Sequence, residues 1–327
     1  MTEMASTATS RRSSSRAAYL GYIYIGLAAA LWGVSASLGR AAFTERLLPG
    51  SGIRNISPLI LSQARTTFSF GVVLFVLLIR RGRKQLRMPR HDLLRAFVLG
   101  LGGIAASNYF YYLAIQRTNV ATAIIVQYTA PVWVLVYMVL RRAERLTLSK
   151  MASVLLAIIG IALVIGLFGH GGLQLDTLGV SAALIAAFSF TFYNIGGHYI
   201  LAKYDRWTVL LFTTMSASLF WIVLNPPNKI IAAHYSGSAW LFLLIFAMLS
   251  VLLPFSLYFA GLQHLEPTKA IVASCLEPVF TVVIAAVALK EVVGPLQGLG
   301  IVMVLCAILV VQIPGRAASQ PPVGPVD

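Results

Sequence analysis

Residues 258–280 read YFAGLQHLEPTKAIVASCLEPVF, and residues 111–133 read YYLAIQRTNVATAIIVQYTAPVW. The two stretches align without a gap at an offset of 147. Tyr111 meets Tyr258, Gln116 meets Gln263, Pro131 meets Pro278, and further on Glu144 meets Glu291. Apolar composition alone would supply matching Ala, Ile and Val. It rarely supplies Tyr, Gln, Pro and Glu in one register. The openings of the two halves agree: LAAALWGVSASLGRAAF (27–43) and LIAAFSFTFYNIGGHYI (184–200) both end a helix with small polar residues and glycine. The chain therefore reads as an internal duplication.

The solvent for this duplication is lipid. The chain has 327 residues, of which 58% are hydrophobic and 11% charged. A soluble domain carries about a quarter charged residues. The mean hydropathy is +0.84. Ten apolar stretches run over about 18–39, 58–79, 93–114, 119–140, 151–168, 177–200, 208–225, 239–262, 267–288 and 294–313. Each suits a hydrocarbon core of about 30 Å. In lipid each must be a helix, which satisfies its own backbone hydrogen bonds. The expected fold is thus an all-α integral membrane protein of ten transmembrane helices, built as two five-helix repeats, 18–168 and 177–313. Five is odd, so the second repeat enters the membrane inverted. Inverted repeats build many secondary transporters, with the substrate near the midplane where the repeats meet. Residues 1–17 and 314–327 are polar or Pro-rich and are expected to be disordered tails.

The net charge of +15 raises the possibility of nucleic acid, but its distribution argues for a membrane. With the N-terminus in the cytoplasm and alternating spans, eighteen Lys and Arg fall inside and six outside. The positive-inside rule then places both termini in the cytoplasm. RRGRKQLRMPR (80–90) becomes a loop at the inner membrane surface. Cys275 and Cys306 both fall within spans and make no C-x-x-C, and no two histidines share a helix face at ligand spacing. Neither a metal nor a cofactor is expected.

Glu277 is the only one of ten acidic residues at the centre of a span. An ionised carboxylate there is costly unless it is neutralised or paired. Two readings stand. In one, Glu277 is a proton site, with protons as coupling ion, or an anchor for a substrate ammonium. In the other, a protonated Glu277 bonds the carbonyls freed by Pro278. Pro131 and Pro278 each remove a helical hydrogen bond and are expected to kink spans four and nine symmetrically. Pro254 in span eight is a further kink, with no proline partner in span three. One turn before each kink lie the repeat partners Gln127 and Ser274, beside Tyr128 and Cys275. In span three Asn108, Tyr111 and Tyr112 share a helix face at i, i+3 and i+4. With Tyr258, the partner of Tyr111, they could wall an aromatic cavity; ordinary packing is the alternative. Arg65, inside span two, is expected to snorkel outward; pairing with a substrate carboxylate is the alternative.

The motif LEPVFTVVIAAVALKE (276–291), its counterpart TAPVWVLVYMVLRRAE (129–144), ALWG (30–33) and Arg65 resemble the EamA-type carriers of the drug/metabolite transporter superfamily. The likeness runs from about 20 to 313. The tryptophan of ALW, the QY before Pro131 and the overall length are similar to the YddG-like exporters of aromatic and other amino acids. Ala130 and the acidic LEP motif are closer to general EamA members, which leaves the substrate open. The resemblance implies an inner-membrane carrier that moves a small organic metabolite outward, most plausibly an amino acid, without a cofactor. It adds Trp32 and Asn194 as cavity positions and favours Tyr128 as a ligand-facing residue. A drug carrier of the same fold, a membrane-embedded enzyme and a scaffold are the alternatives.

Overall fold

The computed structural model describes residues 2–43, 58–81, 87–118, 120–167, 176–232, 234–289 and 292–313. Among them the regular structure is entirely helical. Among the described residues nine helices are long and apolar enough to cross a membrane: Ala17–Leu38, Leu59–Arg80, Arg90–Arg117, Thr122–Leu140, Thr177–Leu201, Arg206–Leu224, Gly237–Leu262, Pro267–Val287 and Pro295–Gln312. A shorter apolar helix, Leu148–Val164, takes the fifth place. These are the ten spans, numbered here in chain order. A short helix, Pro227–Ala232, between spans seven and eight was not expected from the sequence. The C-terminal tail and Glu291 lie outside the described residues.

One expectation is corrected at the N-terminus. The first helix runs from Thr2 to Phe43 without interruption, so the tail expected to be disordered continues the first span. No Gly or Pro precedes Gly21. A helix nucleated in lipid needs only propagation to extend through such a segment.

Local chemistry sets the other helix starts. Side chains of Thr147, Asp176, Asp205 and Ser236 accept hydrogen bonds from backbone N–H groups at the beginnings of spans five to eight. Each satisfies donors that have no partner within the helix.

Four spans are irregular, in matching pairs. Span four is helical over Val120–Gln127 and again over Ala130–Leu140; span nine over Pro267–Ser274 and again over Leu276–Leu289. Proline lacks the N–H that would bond the carbonyl four residues back. Pro131 and Pro278 thus deprive the carbonyls of Gln127 and Ser274 of their helical donors. Span three carries a π-helical turn at Gly100–Ala105, and span eight one at Met248–Leu252. The offset of 147 carries Ala105 onto Leu252. The distortion before Pro254 therefore has a counterpart in span three, although the proline itself has none.

Spans five and ten cross through glycine. A Cβ on Gly160 would lie 2.9 Å from the Gly300 carbonyl oxygen, and one on Gly300 would lie 2.6 Å from that of Gly160. Backbone atoms cannot swing aside as side chains can. Close approach of small residues is how helices gain contact in lipid, where no hydrophobic drive joins them. Val154, Ala157, Ile161, Val304, Ala307 and Val311 fill the seam around this crossing. Gly160→Leu is expected to lower the Tm of the detergent-purified protein, with an overpacking cost of about 1–3 kcal/mol. Gly298→Leu, with nothing within 4 Å of its added carbon, should leave Tm unchanged.

Candidate substrate cavity

A cavity of about 690 Å³ lies between the two repeats. The breaks in spans four and nine both line it, through Gln127, Tyr128, Pro131, Ser274, Glu277 and Pro278. Span three contributes Asn108, Tyr111 and Tyr112, and span one contributes Trp32. Eight of the ten ligand-facing candidates thus line one space.

The other two do not line it. Asn194 and Tyr258 are fully buried, and the Asn194 amide donates to the Tyr258 hydroxyl. The rings of Trp32 and Phe190, both on the cavity wall, lie tilted against Tyr258. The Asn194–Tyr258 bond joins spans six and eight behind the wall. This is how buried polar groups of neighbouring membrane helices commonly satisfy one another.

Glu277 reaches across the repeat interface. The Tyr128 hydroxyl donates to its Oε2 at 3.1 Å. Tyr128 belongs to the first repeat and Glu277 to the second, so one hydrogen bond ties the two broken spans together. The Pro278-freed carbonyls are not its partners among the described residues. The Ser274 hydroxyl instead donates to the Ile271 carbonyl at 2.8 Å, and Thr281 donates to the Glu277 carbonyl at 3.0 Å. Gln127 donates to the Ser107 hydroxyl at 3.3 Å, which links span four to span three.

Arg65 corrects a second expectation. It does not snorkel away; it lines the cavity and donates from Nη2 to the Asn108 side-chain oxygen. Among the described lining residues, Arg65 and Glu277 are the only charged ones. Sequence alone singled out Arg65 but not its direction. It missed Ser107, Phe190 and Phe255, apolar-run residues that carry no distinguishing signal. The remaining wall is mostly aromatic and aliphatic, so the cavity combines one guanidinium, one carboxyl group and a largely apolar surface. It offers binding and orientation. Among the described residues, Tyr128 is the one group hydrogen-bonded to the Glu277 carboxyl.

The model of the EamA-like transporter family matches residues 19–166 and again 177–313. The chain belongs to the EamA-like transporter family. Two successive matches also account for the duplication. This EamA-like chain is 24% identical over 304 residues to the uncharacterized inner membrane transporter YicL of Salmonella typhimurium, covering 92% of this chain and 97% of that protein. It is 24% identical over 272 residues to the threonine/homoserine exporter RhtA of Escherichia coli K12, covering 82% and 85% respectively. A solved crystal structure superposes with a TM-score of 0.73 at 21% identity, over 91% of this chain and 96% of the other; it shares the fold. The EamA-like protein is a multi-pass inner-membrane transporter of the drug/metabolite transporter superfamily.

Proposed function

We propose that this transporter exports neutral amino acids by alternating access around the central cavity. The observation that carries the reading is the pairing of one guanidinium and one carboxylate in a single aromatic-walled space. A free amino acid bears one charge of each sign, and a cavity of a few hundred Å³ suits a ligand of that scale. An organic cation would find Glu277 and the aromatic rings equally favourable, but Arg65 would repel it. The likeness to the threonine/homoserine exporter RhtA points the same way, and hydroxylated side chains could bond Gln127, Ser107 or Thr281 on the wall.

Alternating access needs one end closed while the other is open. The cavity extends from the helix breaks toward Val292, which is 93% exposed, and its neighbour Val293. The opposite end, cytoplasmic by the charge rule, is tied shut. Lys150 Nζ lies 2.6 Å from Glu144 Oε2 and 2.9 Å from Glu266 Oε2. Lys269 lies 3.3 Å from the same Glu266 oxygen. Glu144 also accepts the Thr268 backbone N–H at 3.1 Å, which caps the first half of span nine. Glu144 and Lys150 come from the first repeat, the others from the second. Beside them span one meets span eight so closely that a Cβ on Gly261 would lie 2.9 Å from the Gly21 carbonyl oxygen.

Burial pushes the Glu266 carboxyl upward, but Lys150, and then Lys269, outweigh it and hold it below the ordinary carboxylate range. Its contribution to the closed end is therefore present above the ordinary carboxylate pKa and is lost as pH falls through the lowered one.

The test is flux from proteoliposomes loaded with a panel of labelled amino acids headed by threonine and homoserine, with and without a pH gradient. Saturable efflux of one or more is expected. No flux for any amino acid, alongside flux of another metabolite, would remove the amino-acid reading. Dependence on the gradient would identify the proton as the coupling ion.

A further inference from the structure

We infer that Arg65 is the subsite for the substrate carboxylate, held in place by Asn108, which is itself anchored to the π-helical turn of span three. The inference rests on the amino-acid reading and adds the direction in which the ligand lies. An arginine this deep in a span is costly and ordinarily reaches for the membrane surface. Here it is turned inward instead. Asn108 accepts from Arg65 with its side-chain oxygen and donates its Nδ2 to the Ile104 carbonyl at 2.8 Å. A guanidinium has only donors, so the amide oxygen must face Arg65 and the amide nitrogen must face the carbonyl. Ile104 lies within Gly100–Ala105, the π-helical turn. Asn108 is thus a positioning residue, fixed at both ends.

The guanidinium is incompletely satisfied. Arg65 Nε is buried and without a hydrogen-bond partner among the described residues. No carboxylate among those residues lies within 4.0 Å of it as an ion-pair partner. A half-buried guanidinium with a buried, unpartnered N–H and no carboxylate in direct contact is incomplete until an anion reaches it. A carboxylate matches the fork of an arginine with two parallel bonds. Glu277 already takes the Tyr128 hydroxyl on Oε2, which leaves its other oxygen for a ligand ammonium. The substrate therefore spans the cavity, carboxylate at Arg65 on span two and ammonium at Glu277 on span nine.

Purified full-length protein is titrated with L-threonine, L-homoserine and L-phenylalanine, each beside its amide. The amide keeps the ammonium and side chain but has no carboxylate. The wild-type protein should bind at least one acid about tenfold or more tightly than its amide. Arg65→Gln should abolish that preference, weakening the acid far more than the amide; Arg65→Lys should keep part of it. Asn108→Ala should also weaken the acid more than the amide, because the arginine is then free to leave the cavity. Asn108→Asp should likewise remove the preference by giving Arg65 a permanent counter-ion. If Arg65→Gln discriminates acid from amide as well as wild type does, the carboxylate subsite lies elsewhere while the amino-acid reading stands. If the wild-type protein binds none of the six compounds, that reading and this subsite fall together.

Discussion

Replacing Lys150 by Met is expected to open the end of the bundle that the Lys150–Glu144–Glu266 cluster closes. Lys150 and Glu144 are each only 6% exposed. Removing the ammonium leaves the Glu144 carboxylate buried, with the Thr268 N–H as its remaining partner among the described bonds. Breaking a buried pair in this way costs about 3–5 kcal/mol. At about 1.4 kcal/mol per factor of ten, that is a hundredfold or more in the balance between closed and open ends. Spin labels at Arg142→Cys and Gln263→Cys, with Cys275 and Cys306 replaced by Ser, read this end directly. Their distance distribution should move to longer values in Lys150→Met and return in Lys150→Arg. An unchanged distribution would mean that the cluster holds loops together without controlling access.

The second large effect is at Glu277. If its carboxylate receives the substrate ammonium, Glu277→Gln removes a charge-assisted hydrogen bond worth about 1.5–3 kcal/mol. KM for efflux should rise by about ten- to a hundredfold, since each 1.4 kcal/mol is tenfold. The Tyr128 hydroxyl can still donate to a glutamine oxygen, so Tm should hardly change. Any dependence of the rate on pH that arises from Glu277 should vanish in the same variant. If instead Glu277 serves only to join spans four and nine, KM and the pH profile would stay at wild-type values. The two roles therefore separate on one substitution.

Much of this architecture was legible in the chain because its causes are local. Ten spans follow from apolar length, and the broken fourth and ninth spans follow from what Pro131 and Pro278 remove from their own helices. The register of the duplication is carried by a few rare matches such as Tyr111 with Tyr258. Glu277 stood out because a carboxylic acid in mid-span is unusual. What could not be read depends on neighbours distant in sequence. The π-helical turn at Gly100–Ala105 contains no proline; Gly100 there sits against Thr213 and Ser216 of span seven, and Gly103 against Tyr193 of span six. The direction of Arg65 is decided by Asn108, 43 residues away. Asn194 and Tyr258 looked equally able to face a ligand, and only packing shows that they face each other. The helical N-terminal segment was missed because polar composition was weighed above its continuity with a span.

The central claim is that one midplane site is exposed to each side of the membrane in turn. Gln127 lines the cavity at the break in span four. In a chain with Cys275 and Cys306 replaced by Ser, Gln127→Cys can be challenged in sealed vesicles of known orientation with a membrane-impermeant thiol reagent. Labelling from both faces is expected, with saturating substrate slowing both reactions. A thiol reached from one face only, under every condition in which flux proceeds, would contradict the account.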